Sequence, residues 1–386
     1  MRGITRTVWV LSLISLFTDA ASEMVYPIMP VYLRSIGFSV LLIGVLEGIA
    51  EFTTGISKGY FGKLSDELGR RAPFVQLGYT ISALAKPLLA VSVKPLWVFL
   101  MRSADRLGKG IRTGARDALL SDEATPQSKG KVFGFHRSMD TLGAVLGPLL
   151  ALIYLHYHPE NYRGLFLLAF VPGILAVALS LLLRDRHHRL SPSKNNVSFF
   201  SAFRYWRESS TPYRTVVKGL LLFALFNSSD VFLLLKVKES GADDRVVITI
   251  YIFYNLVYAL SAFPLGNLAD TIGLKRMYIF GVVLFASVYL GMSFTDNLHI
   301  YYILFFVYGL YAAATEGVAR AWITNLADKK DTATAIGAYT AFQSVCTLLA
   351  SSLAGWIWFA FGPTTTFFIT AIIALIVAVY FLLSRY

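Results

Sequence analysis

The sequence predicts an all-α polytopic membrane protein with twelve transmembrane helices, and two observations carry this prediction. Of the 386 residues, 56% are hydrophobic and only 15% are charged, and apolar runs recur along the whole chain. A water-soluble fold of this length has no core large enough to bury so much apolar surface. Each run has about 20 residues, enough for a helix to cross roughly 30 Å of hydrocarbon, whereas a barrel strand would be about half as long. The spans are predicted to be helices because lipid offers no partners for the backbone.

The apolar runs are spread along the whole chain. In chain order, they start near residues 7, 39, 73, 95, 130, 164, 214, 246, 276, 299, 333 and 363. The first run contains Asp19 and Glu23 and lacks a small-residue cleavage site after a short apolar core. It is therefore interpreted as a retained helix rather than a signal peptide.

The net charge of +12 indicates topology rather than a nucleic-acid partner. If the N-terminus lies inside, the loops on its side carry most of the Lys and Arg residues, with a dense basic stretch between residues 184 and 214. The opposite loops carry few, such as Arg34, Lys94 and Arg163. This asymmetry predicts that both termini are cytoplasmic and that the protein lies in the cell inner membrane.

The basic stretch also divides the chain into two halves. The predicted organisation is an N-terminal six-helix bundle at 1–184, a cytoplasmic linker at 185–213 and a C-terminal six-helix bundle at 214–386. Within the linker, Phe199, Phe203 and Trp206 recur at helical spacing. This pattern predicts a short amphipathic helix on the membrane surface.

A loop motif occurs twice, 204 residues apart, between the second and third helix of each half. Its two copies comprise Gly62, Asp66, Gly69, Arg70 and Arg71, and then Gly266, Asp270, Gly273, Lys275 and Arg276. Equivalent loops at equivalent places predict two bundles related by a pseudo-twofold axis, with a central cavity between them. The two Asp residues are predicted to pair with cations or helix N-termini and to latch the cytoplasmic gate. The alternative is that the Arg and Lys residues only set the topology.

Both copies resemble the cytoplasmic loop signature of the major facilitator superfamily. The stretch from Arg102 to Gly134 looks like that family's fourth-helix signature, although Arg106 stands where a small residue is usual. Residues 143–152 resemble the G-x-x-x-G-P-x-x-G-G signature of its drug/proton antiporter and efflux branch, with Ala and Leu in place of the last two glycines. Pro27 and Pro30 after Asp19 look like the end of helix one in that branch. The resemblance implies that helices one and four line the cavity and that helix two flanks it.

The fifth helix carries Gly143 and Gly147 on one face, followed by Pro148. This spacing lets a neighbouring backbone approach closely, and the proline permits a bend. The segment is therefore a candidate hinge or sliding seam, with static tight packing as the alternative. His136 and Asp140 share the glycine face and are assigned to the same seam.

Ionisable side chains inside helices cost about 3 kcal/mol each at the bilayer centre, so they need partners or water. Asp19 and Glu23 fall on one stripe of helix one, and Glu47 and Glu51 fall on one stripe of helix two. These four acids are the predicted proton-coupling residues, because a carboxyl whose environment changes between states binds and releases a proton. A permanent salt-bridge network is the alternative.

Helix four carries the largest charged stripe. The predicted substrate-cavity residues are Tyr26, Arg102, Asp105, Arg106 and Lys109, joined from the second half by Asn227, Asp230 and Glu316. Arg112, Arg116 and Asp117 lie nearer the cytoplasmic end and are assigned to the gate. Glu316 has a second interpretation, a simple pair with Arg320 four residues on.

These observations predict a secondary transporter that moves a small solute by alternating access, with proton-coupled export as the first hypothesis. Proton-driven uptake of an anionic metabolite is the alternative suggested by the helix-four cations. Transport of a metal ion or chelate is a third hypothesis, weakened by the lack of His or Cys ligand spacing. An enzyme is disfavoured because no nucleophile elbow, zinc helix or phosphate loop occurs. We expect protons and lipids as partners, a monomer, and neither a cofactor nor a nucleic acid.

Overall fold

A computed structural model describes residues 4–26, 28–29, 32–33, 36–38, 40–185, 201–228, 230–242 and 244–384. Within α-helical segments, the side chains at 40–48, 50–52, 56, 201–203, 231, 244–245 and 248 are outside this description.

The described secondary structure is helical, without a β-strand in these ranges. The helices are α1 (Arg6–Val25), α2 (Val40–Glu67), α3 (Ala72–Leu89), α4 (Pro95–Asp122), α5 (Lys129–Tyr157), α6 (Tyr162–Ser180), α7 (Ser201–Glu208), α8 (Thr211–Ala224), α9 (Val231–Glu239), α10 (Asp244–Ile272), α11 (Leu274–Phe294), α12 (Leu298–Leu326) and α13 (Thr332–Leu383). The 52-residue α13 is interrupted at Gly362, whose φ of +83° and ψ of 171° are not helical. It therefore consists of two helical segments.

The helix ends follow from local chemistry. Thr5 caps α1 by accepting a hydrogen bond from the Val8 N–H at 3.3 Å, and Asn161 caps α6 by accepting one from Gly164 at 3.0 Å. Such caps satisfy backbone donors that have no partner within the helix. Gly69 and Gly273, the matching glycines of the repeated motif, have φ values of +62° and +97°. Because only glycine adopts this region without strain, they end α2 and α10 at equivalent places.

Among the described residues, seven helices are long and apolar enough to cross a membrane by length and composition. They correspond to α1, α5, α6, α10, α11, α12 and the segment that contains α13. At 28 residues α4 is longer than several of these, but its face carries Arg102, Arg106 and Lys109 among other charges. A hydropathy criterion misses such a helix because its polar face points away from lipid.

The chain folds into two compact units that do not follow the two sequence halves. The first unit comprises residues 1–123, 139–208 and 328–341, and the second comprises 124–138, 209–327 and 342–386. The start of α5 therefore belongs to the second unit, and the start of α13 belongs to the first. The sequence analysis placed all of α5 in the first half of the chain and all of α13 in the second half. Its domain boundaries stay a prediction.

In the first unit, α4 packs on α2 and α3, while α6 packs on α1 and α3. The contact between α3 and α4 is a backbone crossing at Gly78 and Gly108. A Cβ atom at either glycine would lie 2.6 Å from the other residue's carbonyl oxygen. In the second unit, α12 packs on α10 and α11, and the core there includes the edge-to-face pair of Phe223 and Phe285 with ring centroids 4.9 Å apart.

Candidate functional site

The charged face of α4 points into the first unit. Arg102 and Arg106 are buried, whereas Leu96 and Leu100 on the same helix are exposed. Because exposed leucines suit lipid and buried guanidiniums need polar partners, α4 presents its apolar side outward and its charges inward. The helix is thus placed to carry ionic chemistry inside the protein.

Asp105 is held by two cations. Its carboxylate lies 3.3 Å from Lys86 Nζ on α3 and 3.9 Å from Arg102 Nη1. Lys86 also donates a hydrogen bond to the Ser82 carbonyl at 3.1 Å. Sequence reasoning did not single out Lys86, although a lysine within an apolar run signals a buried partner. Asp105 therefore has a structural ion pair.

The acid of helix one that was predicted to couple protons, Asp19, lies against a second carboxyl, that of Asp140 on α5. The two side chains are within hydrogen-bonding reach, and Lys109 and Glu23 are further neighbours of Asp19. Ser15 Oγ also hydrogen-bonds to Asp140 Oδ1. Because an ionised carboxylate only accepts hydrogen bonds, a hydrogen bond between two carboxyls forms only when one of them carries a proton.

The glycines of α5 bring this acid pair together. A Cβ atom at Gly143 would overlap the Leu16 carbonyl oxygen, and one at Gly147 would lie 2.6 Å from the Ala20 carbonyl oxygen. The backbones of α1 and α5 therefore touch, with Pro148 one residue further on. Sequence reasoning assigned Asp140 to a helix seam only. The structure places the seam and the acid pair at the same spot, so this assignment was incomplete.

Glu23 lies one helical turn from Asp19 and faces the cations of α4. Its charged neighbours are Lys109, Arg106 and Arg102. Beside it, the guanidinium carbons of Arg102 and Arg106 lie 5.7 Å and 5.6 Å from the centre of the Tyr26 ring. The side chains of Glu47 and Glu51 on α2 lie outside the described residues.

The loop-motif acid Asp66 caps the start of α13. Its Oδ2 accepts hydrogen bonds from the Thr334 N–H at 2.7 Å and the Thr334 hydroxyl at 2.8 Å. Its other oxygen lies 3.3 Å from Arg71, which also pairs with Asp122 and donates to the Lys329 carbonyl. Asp66 lies outside the membrane-spanning segments, and its burial raises its pKa to about 6 while Arg71 and Thr334 oppose that rise.

Gly62 makes this cap possible, since a Cβ atom there would lie 2.5 Å from the Ala333 carbonyl oxygen. Arg70 is exposed beside the buried Arg71. The motif therefore holds α13 by a small residue, a carboxylate and one arginine.

The second copy of the motif makes the matching contact in the other unit. Asp270 accepts hydrogen bonds from the Gly130 and Lys131 N–H groups, each at 2.7 Å, at the start of α5. Gly266 packs directly on the Gly130 carbonyl. Asp66 and Asp270 are 204 residues apart, and so are Gly130 and Thr334. The two caps are thus equivalent positions of one internal repeat.

The remaining cations of the motif and of α4 have other surroundings. Lys275 donates to the Ser384 carbonyl at 2.7 Å, and Arg276 is exposed. Arg112 donates to Ser82 Oγ at 2.7 Å and lies over the Tyr79 ring, whereas Arg116 pairs with Asp117 at 2.9 Å. The sequence analysis assigned Arg112, Arg116 and Asp117 to the cytoplasmic gate. The contacts named here lie within α3 and α4, because the glycine crossing brings those helices together.

In the second unit, the predicted cavity residues join an aromatic group. The Asp230 carboxylate accepts a hydrogen bond from the Tyr254 hydroxyl, and Asn227 Nδ2 lies 2.9 Å from the Tyr311 hydroxyl. Glu316 pairs with Arg137 at the start of α5, a partner that sequence reasoning did not consider. Arg137 lies 179 residues away, so no local spacing reveals it.

The family model of the Major Facilitator Superfamily matches residues 11–253 and 220–386. This chain belongs to the major facilitator superfamily. Membership makes it an integral membrane transport protein and not an enzyme.

Among its relatives in the superfamily, the uncharacterized MFS-type transporter MJ1317 of Methanocaldococcus jannaschii is 32% identical, over 97% of this chain and 94% of the relative. The staphyloferrin B transporter of Staphylococcus aureus is 23% identical over 99% and 93% of the two chains. The quinolone resistance protein NorA of the same species is 25% identical over 58% of each.

Two solved structures share the fold. The human organic anion transporter MFSD10 superposes with a TM-score of 0.81 at 15% identity, covering 99% of this chain and 100% of that one. The transporter FucP in its outward conformation gives a TM-score of 0.80 at 12% identity, covering 100% of both chains. At such identities the likeness concerns the fold alone.

Proposed function

We propose that this superfamily member is a proton-coupled secondary transporter of a small solute. The observation that carries the proposal is the carboxyl pair of Asp19 and Asp140, which lies inside the first unit with Lys109 beside it. Two carboxyls in contact hold a proton while they stay together, and they release it when they separate and Lys109 compensates the ionised acid. A helix seam that moves would therefore couple proton binding to a change of shape.

The proposed architecture is twelve transmembrane helices in two six-helix bundles around a central cavity, related by a pseudo-twofold axis. The common spacing of the two helix caps supports it, since Asp66 with Thr334 and Asp270 with Gly130 repeat at the same offset. The excess of basic residues in alternate loops supports an inner-membrane location with both termini cytoplasmic.

The two caps are the proposed cytoplasmic gate. Each joins a motif in one half of the sequence to the start of a helix from the other half, 268 residues away for Asp66 and 140 for Asp270. A carboxylate at a helix N-terminus is stabilised by free N–H groups and by the helix dipole. Such contacts favour one arrangement of the halves and have to break during alternating access.

Export is the first proposed direction. The close approach of α5 to α1 at Gly143 and Gly147, with Pro148 following, supports the likeness to the antiporter and efflux branch. A relative named for quinolone resistance fits this direction, because expelling a drug confers resistance.

Uptake of an organic anion is the second candidate, favoured by the three α4 cations near Glu23. A metal route has less support, since no group of three His, Cys, Asp or Glu side chains suited to a metal ion occurs in the described part of the chain.

The test uses purified protein in liposomes with an imposed pH gradient and an internal pH dye. Solute addition is expected to drive proton flux with the wild-type protein, and Asp19→Asn and Asp140→Asn are expected to abolish it. Glu208→Gln, which removes an exposed partner of Arg204 on α7, serves as the control. Gradient-driven flux that survives both substitutions would contradict the coupling assignment.

A further inference from the structure

At the edge of the charged face of α4, next to α1, the charged side chains of Lys109 and Glu23 are not fully buried, unlike those of Arg102 and Arg106. Lys109 is at the centre of α4 and is exposed, and Tyr26 at the end of α1 is 48% exposed. Glu23 between them is partly exposed. An exposed lysine at this depth is too costly in hydrocarbon, so this face borders an aqueous space.

Glu23 is the anionic centre of this face. Its surroundings comprise Arg102, Arg106 and Lys109 on α4, Asp19 on α1 and Asp140 on α5. Asp105, the other α4 acid in this region, already engages Lys86 and Arg102. Asp19 and Asp140 hold each other. The Glu23 carboxylate faces Lys109, Arg106 and Arg102, while Arg106 also lies near Asp105 and Lys109 also lies near Asp19.

We infer that Glu23 occupies the place that the carboxylate of an organic anion takes in the loaded transporter, and that Tyr26 contacts the apolar part of that anion. This inference rests on the proposed transport function. Guanidinium groups bind carboxylates through two parallel hydrogen bonds, and lysine adds a mobile point charge. The Tyr26 ring offers a flat apolar surface, and the guanidinium groups of Arg102 and Arg106 make cation–π contacts with it. The site thus suits a small aromatic or planar carboxylate.

Glu23 and the carboxylate of the substrate compete for the same cations, and this competition is expected to depend on pH. An ionised Glu23 and a substrate carboxylate repel each other among the same cations, so the anion binds best when Glu23 is protonated or displaced. Anion affinity is then expected to fall as pH rises, by at most about tenfold per pH unit for one linked proton. Binding a proton and an anion to the same arrangement favours the uptake candidate over export.

The experiment measures binding to the purified full-length protein in detergent, without any gradient. The probes are benzoate, 1-naphthoate and indole-3-acetate, each compared with its primary amide by calorimetry between about pH 5.5 and 7.5. At least one acid is expected to bind more tightly than its amide, with an affinity that falls as pH rises. Glu23→Gln is expected to bind that acid at least about fivefold more tightly at the upper pH and to lose the pH dependence.

Removal of a cation near Glu23 is expected to have the opposite effect on acid binding. Arg106→Ala and Lys109→Ala are each expected to weaken binding of the acid about tenfold and to leave binding of the amide unchanged. Lys109 is exposed, so its variant keeps the fold testable if the Arg106 variant is unstable. Glu208→Gln on α7 is the matched acid-to-amide control and is expected to behave as wild type.

The inference is overturned if none of the three acids binds, if the amides bind as tightly as the acids, or if Glu23→Gln weakens acid binding. Those results leave the proposed function intact as long as liposomes still show proton flux driven by another solute. Absence of proton flux with any solute would instead contradict the proposed function.

Discussion

At the scale of single residues, buried charges in the first unit are arranged as specific partners. The Asp105 carboxylate lies 3.3 Å from the Lys86 ammonium, and both side chains are largely buried. At the same contact between α3 and α4, Arg112 donates a hydrogen bond to the Ser82 hydroxyl. Removing one member of a buried pair leaves the other charge without compensation in a medium of low polarity. The pair of Asp19 and Asp140 differs, because each acid has a second acid beside it as well as a nearby cation, Lys109 for Asp19 and Arg116 for Asp140.

The first prediction concerns the ion pair. Asp105→Asn is expected to destabilise the protein by about 3 kcal/mol, because it leaves the Lys86 ammonium buried beside a neutral amide. The double variant Lys86→Met with Asp105→Asn is expected to regain most of that stability, and thermal denaturation in detergent measures both. Equal destabilisation in the single and double variants would show that the ion pair does not matter.

At the scale of helices, close contacts depend on glycine. The α1 and α5 backbones meet at Gly143 and Gly147, where no side chain fits. Other glycines have room for a side chain. At Gly355, for example, an added Cβ atom would lie 3.7 Å from the Phe232 ring, which is an ordinary van der Waals distance. The glycines of α5 therefore determine how near the Asp140 side chain comes to Asp19.

The second prediction follows from this contact. Gly147→Val is expected to force α1 and α5 apart, to lower stability by about 2 kcal/mol and to abolish proton coupling. Gly355→Ala is the control and is expected to stay within about 0.5 kcal/mol of wild type. A Gly147 variant with wild-type stability and flux would contradict the proposed seam.

The third prediction concerns the pH dependence of the α13 cap. Burial raises the pKa of Asp66 from its ordinary value of 3.8 to about 6, so the docked carboxyl binds its proton more tightly than the released one. Docking is therefore expected to weaken as pH rises from about 4 to about 6 and to change little above that. Hydrogen exchange at the start of α13, corrected for the intrinsic pH effect, measures this. Asp66→Asn is expected to remove the pH dependence, and a pH-independent wild type would contradict the argument.

At the scale of the whole molecule, the repeated cap is the main feature. Both copies of the motif place a carboxylate at the N-terminus of a distant helix, and the partner positions keep the spacing of 204 residues. If alternating access breaks both contacts in one transition, each cap biases the same equilibrium.

The fourth prediction tests that link. Asp66→Ala, which removes the acceptor of both Thr334 hydrogen bonds, is expected to increase hydrogen exchange at the start of α13 and also at the start of α5, whose own cap at Asp270 is unchanged. Asp270→Ala is expected to do the same in reverse. An increase confined to the helix next to each substitution would show that the caps act locally and would argue against a shared gate.

Local chemistry made several features predictable from the chain alone. Composition indicated a helical membrane protein, because repeated apolar runs of this length match helices that cross a bilayer. The period of 3.6 residues placed the α4 charges on one face. The expectation that Asp66 and Asp270 meet cations or helix N-termini likewise required only their chemistry.

The sequence by itself determined the solvent, the helices, the internal repeat and the membership of a transporter family. Only the tertiary structure decided the partners: Lys86 for Asp105, Asp140 for Asp19, Arg137 for Glu316, and Thr334 and Gly130 for the two caps. Helical periodicity states which direction a side chain takes from its own axis, but its partner depends on which helices pack together and in what register. That choice is made by contacts between residues far apart in the chain, such as the glycines of α5 on α1, and no local pattern records it.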